Sequence, residues 1–487
     1  MRKTILFGLF LSAHFALAQN VIWVSSTERE PWQRQSVTIH KKVDNALSID
    51  ASRQFQVIDG FGSCFNELGW TSLSELSEKD RNDIFKELFQ PNFGANFNSC
   101  RMPIGANDFS RDWYSYDETD QDFDLKDFSI KNDLETLIPF IKSAQKFNKK
   151  LTVWASPWSP PSWMKYNKHY ALSKVPDMIK DVDNGLSEDQ IGKEGNDMFI
   201  QEDRYFQAYA KYFGRFISDY KKQGIAISMV MPQNEFNSAQ WYPSCTWTPN
   251  GLSKFISCLG PEMEKSKTQI FFGTLERPND KLFQEVFDNP EAGKYIKGVG
   301  LQWAGKEAIS KIHAKNPDLK IYQSEHECGN GENSWAYAEY SWDLMKHYFL
   351  NGANAYFYWN TSLLEGGVSR WGWKQNSLVT VNKHDKTYKY NPEFYVMKHL
   401  SHFVKPGAHL IDASTKEKKL RDDVLGWWKG ELDSNKDDML AFANPDGSVV
   451  IVVYNATDNE KTFAFKTGKS EVSQTLKAKS FNTFLVL

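Results

Sequence analysis

Hydrophobic positions in the middle of the chain fall into short continuous runs, separated by stretches in which they recur at helical spacing. The runs are Val57–Phe65, Phe97–Ile104, Leu151–Ser156, Ala226–Gln233, Gln269–Leu275, Gly298–Trp303, Lys320–Glu325 and Ala355–Asn360, and most are rich in Val, Ile and Phe. Apolar character of that length, without alternation, predicts strands buried on both faces. Between them, Ser77–Leu88 opens on a capping serine and places Ile84, Phe85 and Leu88 on one helical face. Asp133–Phe147 repeats the pattern with Leu134, Leu137, Ile138, Ile141 and Ala144, and Arg204–Tyr220 and Trp342–Phe349 behave likewise. Eight strands, each followed by a helix or a long loop, predict an α/β fold of the TIM (β/α)8 barrel type. A doubly wound open sheet would need a phosphate-binding glycine loop after an early strand, and Gly60-Phe61-Gly62 is a poor match to one.

The pattern changes toward both ends. Helical spacing fades from residue 405, and Asn444-Pro445-Asp446-Gly447 is a turn sequence between apolar runs. Val449–Tyr454, Thr462–Phe465 and Phe481–Val486 read as strands, and Val21–Ile49 alternates, as in Val37-Thr38-Ile39-His40. Both ends together predict one accessory β-sandwich beside the barrel. The expected organisation is a leader at 1–18, N-terminal sandwich strands at 19–56, the catalytic barrel at 57–404 and the rest of the sandwich at 405–487. The leader has Arg2 and Lys3, the apolar run Ile5–Phe15, and small residues in Ala16-Leu17-Ala18. That is the pattern of a signal peptide cleaved near Ala18, so the mature protein is expected to be periplasmic or secreted. The apolar run is too short to span a bilayer, and no stable membrane insertion is expected. The polar stretch His169–Asn196 is expected to be a surface excursion over the site.

Composition narrows the chemistry. A net charge of −3 with both signs interspersed gives no basic stripe for nucleic acid. The chain carries 17 Trp, 20 Tyr and 34 Phe, which suits stacking on the C–H faces of sugars and equally suits a large aromatic core. Five cysteines leave at least one unpaired, and Cys245 and Cys258 are candidates for a bridge that spacing alone does not establish. No Cys/His spacing suggests a metal, and no cofactor is expected.

Two carboxylate motifs stand at strand ends. Gln233-Asn234-Glu235 follows the run Ile225–Met231, and Gln323-Ser324-Glu325 follows Leu319–Tyr322. A barrel enzyme works at the C-terminal ends of its strands, so both glutamates are expected on the catalytic face. A retaining glycosidase needs two carboxyl groups roughly 5–5.5 Å apart, one to attack the anomeric carbon and one to protonate the leaving oxygen. Burial and a neighbouring carboxylate supply the raised pKa of the proton donor. Glu327 stands two residues beyond Glu325, on the same side of a continuing strand, and spacing does not choose between them. Glu67 and Glu276 are weaker strand-end candidates. His326 has no G-x-S-x-G partner with which to form a hydrolase triad. A sugar-binding protein without activity would not need both glutamates.

The chain resembles glycoside hydrolase family 30, the group that includes glucosylceramidases, from about residue 55 to the C-terminus. The matching stretches are Gly60-Phe61-Gly62, Arg101-Met102-Pro103-Ile104, Asp108-Phe109-Ser110, the run Ala155–Lys165, Gln233-Asn234-Glu235, Ser324-Glu325, Trp359-Asn360 and Pro445-Asp446-Gly447-Ser448. The resemblance implies that Glu235 is the acid/base and Glu325 the nucleophile, with Asn234 on the sugar 2-hydroxyl. It further implies that Asp108, Trp158 and Trp359 surround the sugar on the non-reducing side of the cut. Gln302 and Trp303 stand in the site wall, where glucosylceramidases carry His-Trp-Tyr and this chain reads Gln302-Trp303-Ala304. Phe236 replaces a usual proline after Asn-Glu, and the loop Asn237–Thr248 with Trp241, Tyr242 and Trp247 is distinctive. These departures fall where the aglycone would lie. The expected activity is retaining hydrolysis of a β-linked oligo- or polysaccharide or glycoside, with β-1,6-glucan favoured and β-xyloside, β-fucoside and β-galactan as alternatives.

Overall fold

A computed structural model describes residues 21–40, 42–411, 416–468 and 470–487, so the expected leader lies outside the described residues. Eight strands form a closed barrel. In chain order they are Gly60–Cys64, Ser99–Pro103, Thr152–Ser156, Ile227–Val230, Gln269–Leu275, Ile296–Gln302, Lys320–Glu325 and Ala353–Asn360. The eighth runs parallel to the first, with Tyr356 opposite Phe61 and Phe357 opposite Gly62. Side chains alternate along the eighth strand. Ala355 and Phe357 join Trp154, Met229, Met231 and Phe271 in a cluster of their own, while Tyr356 and Tyr358 belong to the main core. The barrel interior is therefore packed, and function is confined to its rim.

Local chemistry moved several expected boundaries. The run Val57–Phe65 divides into Gln54–Ile58, which pairs with Ala408–Ile411 in the sandwich, and the first barrel strand. The Asn98 side chain holds the break, accepting from the Phe61 N–H at 2.9 Å and donating to the Asp59 carbonyl at 3.0 Å. A Cβ on Gly60 would lie 2.2 Å from that side chain. The helix expected over Asp133–Phe147 starts at Leu137, which puts Pro139 in the first turn, where its missing N–H costs nothing. The fourth barrel strand ends at Val230, just before Pro232, which has no N–H to give to a ladder. The helix expected over Trp342–Phe349 runs over Trp335–Leu350. It is buried nearly all round, which hides its helical period.

The sandwich uses both chain ends. A seven-stranded sheet places Val21–Ser26 beside Ser480–Val486, and Val449–Asn455 beyond that. Val449, Ile451 and Val453 face the sandwich core with Trp23, Phe465 and Phe484. Val450, Val452 and Tyr454 face the core shared with the barrel. This one sheet thus belongs to both domains. A hairpin of Lys416–Asp422 and Lys429–Asn435 lies apart from it, packed on the helix Trp335–Leu350. Asp343 on that helix pairs with Lys346 at 2.9 Å, Lys419 at 3.1 Å and Arg421 at 2.5 Å. All five cysteines are free, so the candidate bridge between Cys245 and Cys258 is not formed.

Candidate active site

Arg101 lies within the second barrel strand and is fully buried. A guanidinium keeps its charge in such a place, so it must be met by fixed acceptors. Nη1 donates to Glu325 Oε2 at 2.7 Å and to the Ser324 carbonyl at 3.2 Å. Nη2 donates to Asn234 Oδ1 at 2.7 Å and to Ser156 Oγ at 2.9 Å. The guanidinium carbon stands 4.5 Å from the Trp158 ring centre and 5.3 Å from that of Trp359. The two indoles stack on each other at 4.9 Å.

Gln302, at the end of the sixth strand, ties the other side of this network. Its Nε2 donates to Asn234 Oδ1 and to Glu235 Oε1, each at 3.1 Å, and its Oε1 accepts from Ser324 Oγ at 2.9 Å. Glu235 adopts a left-handed backbone, with φ of 43°, and its N–H donates to Thr274 Oγ1 at 2.8 Å. That turn points the chain out of the barrel wall just past Asn234. Asp108 follows the second strand, nearly buried, with Oδ1 left without a hydrogen-bond partner. Each residue anticipated for the site therefore converges on one rim: Glu235, Glu325, Asn234, Asp108, Trp158, Trp359, Gln302 and Trp303.

The two glutamates sit in unlike surroundings. Burial pushes Glu235 well above the usual carboxylate range, and the charges of Glu325 and Glu276 push it further. Burial also raises Glu325, but the Arg101 guanidinium opposes it, helped by the Trp303 indole and by Gln302. Glu325 has an ion pair at 2.7 Å, and among the described residues Glu235 has none. Burial and the charge of Glu325 raise Asp108 well above its ordinary value. The Trp359 indole N–H opposes this from a geometry short of a full hydrogen bond.

The remaining candidates separate cleanly. Glu327 is tied to Lys306 at 2.8 Å and accepts from the Tyr340 hydroxyl at 2.8 Å. Glu67 is consumed by Arg111 and Asn132, each at 2.9 Å, away from this network. His326 contacts Tyr356 and Ser341, and burial holds its pKa down to about 3, so it stays neutral. Glu276, the residue after the fifth strand, lines the same cavity as Glu235, and burial pushes it up to about 7. Arg101 carried no role in the sequence reading. A charged side chain amid a buried strand was the signal for it. Beyond Glu235 the rim opens into a cleft of about 280 Å³, which Glu276, Tyr242 and Trp303 also line. Among the described residues no cluster of His, Cys, Asp and Glu is arranged to hold a metal ion.

Both the sequence and the fold have counterparts among known proteins. Residues 58–177 and 187–404 match the glycosyl hydrolase family 30 TIM-barrel domain, and residues 431–484 match the family's beta sandwich domain. A putative glucosylceramidase 1 of Caenorhabditis elegans is 29% identical over 473 residues, spanning 92% of this chain and 81% of its own. An endo-1,6-beta-D-glucanase of Aspergillus fumigatus is 26% identical over 451 residues, spanning 87% and 84%. A solved endo-beta1,6-glucanase shares the fold with a TM-score of 0.76 at 22% identity, covering 96% of this chain and 99% of its own.

Proposed function

The chain belongs to glycosyl hydrolase family 30 and is a β-glycosidase, and on that footing we propose that it cleaves β-linked glucose, β-1,6-glucan foremost, with retention at the anomeric carbon. The observation that carries this is the pair of buried carboxyl groups held by one hydrogen-bond network, of which Glu325 has a guanidinium partner and Glu235 has none among the described residues. Glu325, beside Arg101, stays anionic and attacks the anomeric carbon. Glu235, without a cation, keeps its proton and gives it to the departing oxygen. The C–O bond to the leaving group breaks as the bond to Glu325 forms. Esterified, Glu325 no longer carries charge, and one of the influences that raised Glu235 disappears. Glu235 is then the base that takes a proton from water, whose oxygen displaces Glu325. Asn234, with its oxygen committed to Arg101 and Gln302, is oriented to hold the sugar 2-hydroxyl. Asp108 has an unsatisfied oxygen for ring hydroxyls, and the Trp158–Trp359 pair supplies the apolar wall. The leader pattern supports export, so that the polymer is met outside the cytoplasm.

The test is a panel of nitrophenyl β-glycosides and β-linked polysaccharides, including the β-1,6-glucan pustulan, with products sized and the first anomer assigned by NMR. Glucose-based substrates are expected to react, with the β-anomer formed first. An α-anomer first, or activity confined to α-linked substrates, overturns the mechanism.

A further inference from the structure

The cleft beside Glu235 has a wall that does not come from the barrel. Asp423, Trp427 and Trp428, in the turn of the hairpin Lys416–Asp422/Lys429–Asn435, line the same cavity as Glu235 and Glu276. The turn is built rather than loose. The Asp423 N–H donates to the Trp428 carbonyl at 2.9 Å, and Asp423 Oδ1 accepts from the Trp427 N–H at 2.8 Å. Trp428 donates through Nε1 to Glu307 at 2.7 Å and covers the Lys306 ammonium at 4.2 Å. The ion pairs to Asp343 hold the hairpin's first strand on the barrel's helix. Yet Trp427 is 55% exposed. Its ring packs with Trp373 at 5.3 Å, and Trp373 in turn packs with Trp241 at 5.3 Å.

The lining chemistry is specific. The indoles of Trp241, Trp303, Trp373, Trp427 and Trp428 line the cavity together with Arg277, Asp423 and Glu276. An acyl chain would need a continuous apolar lining, because charged groups left facing it lose water without gaining partners. A sugar ring matches both components, with C–H faces for the indoles and hydroxyls for the charged groups. Glu276 gives an independent indication. It is buried, and its Oε2 has no hydrogen-bond partner, which leaves an acceptor in the cavity for a hydroxyl.

We propose that the hairpin turn 423–428 is a specificity-determining part of the substrate site. Trp427 stacks on a sugar on the leaving-group side of the cut bond, one unit beyond the first, and Glu276 accepts from a hydroxyl of the nearer unit. The hairpin thereby makes the enzyme prefer a chain to a short glucoside. This deepens the glucan reading above and rests on it.

Hydrolysis of β-1,6-linked glucose di- and trisaccharides by the full chain, native and Trp427→Ala, tests the proposal. The trisaccharide-to-disaccharide ratio of kcat/KM is expected to fall about tenfold, the value of one lost stacking contact. Trp427→Phe should restore most of that ratio, which a merely structural role would not require. Binding of the trisaccharide to Glu325→Gln, followed by indole fluorescence, should weaken by a similar factor when Trp427→Ala is added. Equal losses on both lengths, or an unchanged ratio, overturn the role of the hairpin while leaving the glucan reading intact. Failure of the native enzyme to cut either oligosaccharide, with other β-glycosides cut, overturns the linkage reading and this inference together. A melting temperature unchanged by Trp427→Ala confirms that the ratio is measured on folded protein.

Discussion

The floor of the site and the wall of its cleft are built by opposite means. The floor is made by strand ends. Arg101, Asn234, Gln302 and Glu325 are all at most 5% exposed, and each is fixed by the others. The wall is made by loops and by a hairpin outside the barrel, with one indole more than half exposed. A reaction that depends on placing charge to within a fraction of an ångström belongs on the floor, where no side chain can relax. Discrimination between leaving groups belongs on the wall, where sequence can change without disturbing the barrel.

The largest test of that contrast is Glu325→Gln. Turnover should fall by on the order of 10⁴ or more, while sugar affinity by calorimetry stays within a few-fold, since shape and hydrogen bonding are kept. Glu235→Gln comes next, at roughly 10²–10⁴ on substrates with poor leaving groups. Aryl glycosides with acidic leaving groups should lose much less in bond cleavage, as pre-steady-state bursts would reveal. Arg101→Met removes the buried cation that pairs with Glu325. It should cost about 3–5 kcal/mol in denaturant-derived stability. It should also raise the pKa of Glu325, moving the acid limb of the kcat/KM profile to higher pH. The smallest effect is at the boundary between floor and wall. Glu276→Gln deletes a negative charge that raises Glu235. The proton on Glu235 is then lost at lower pH, so the basic limb should shift down. Turnover at the optimum should change by less than about tenfold. An unmoved limb would separate Glu276 from the catalytic pair.

The barrel was legible because its strands are buried on both faces, so most of them announce themselves as short runs with little polar interruption. In the sandwich, Lys461–Thr467 alternates because one face is wet, whereas Val449–Asn455 is buried on both faces and reads as a continuous apolar run. What stayed hidden was burial of another kind. The helix Trp335–Leu350 is enclosed between barrel and hairpin and holds Asp343, Lys346 and His347 inside, so polarity there did not mean surface. The strand Lys416–Asp422 reads Lys-Glu-Lys-Lys-Leu-Arg-Asp, with no apolar face, because it docks through ion pairs. Trp427 and Trp428 were therefore not connected with the site. The choice between Glu325 and Glu327 needed the end of the seventh strand, beyond which Glu327 turns to Lys306. Arg101 could be read as unusual but not as central. Its partners come from residues 156, 234, 302, 324 and 325, which only closure of the barrel brings together.

The strand Val21–Ser26 pairs along its length with Ser480–Val486. The first strand among the described residues therefore waits for the last. A polypeptide emerging from a ribosome, or threaded through a pore, can assemble the barrel's strands in order but cannot finish the sheet that backs them until Ser480–Val486 has followed. Trimming either end should leave the opposite end with an open ladder of unpaired amides. A shortened product would then be recognised by its tendency to self-associate before any defect in chemistry is seen.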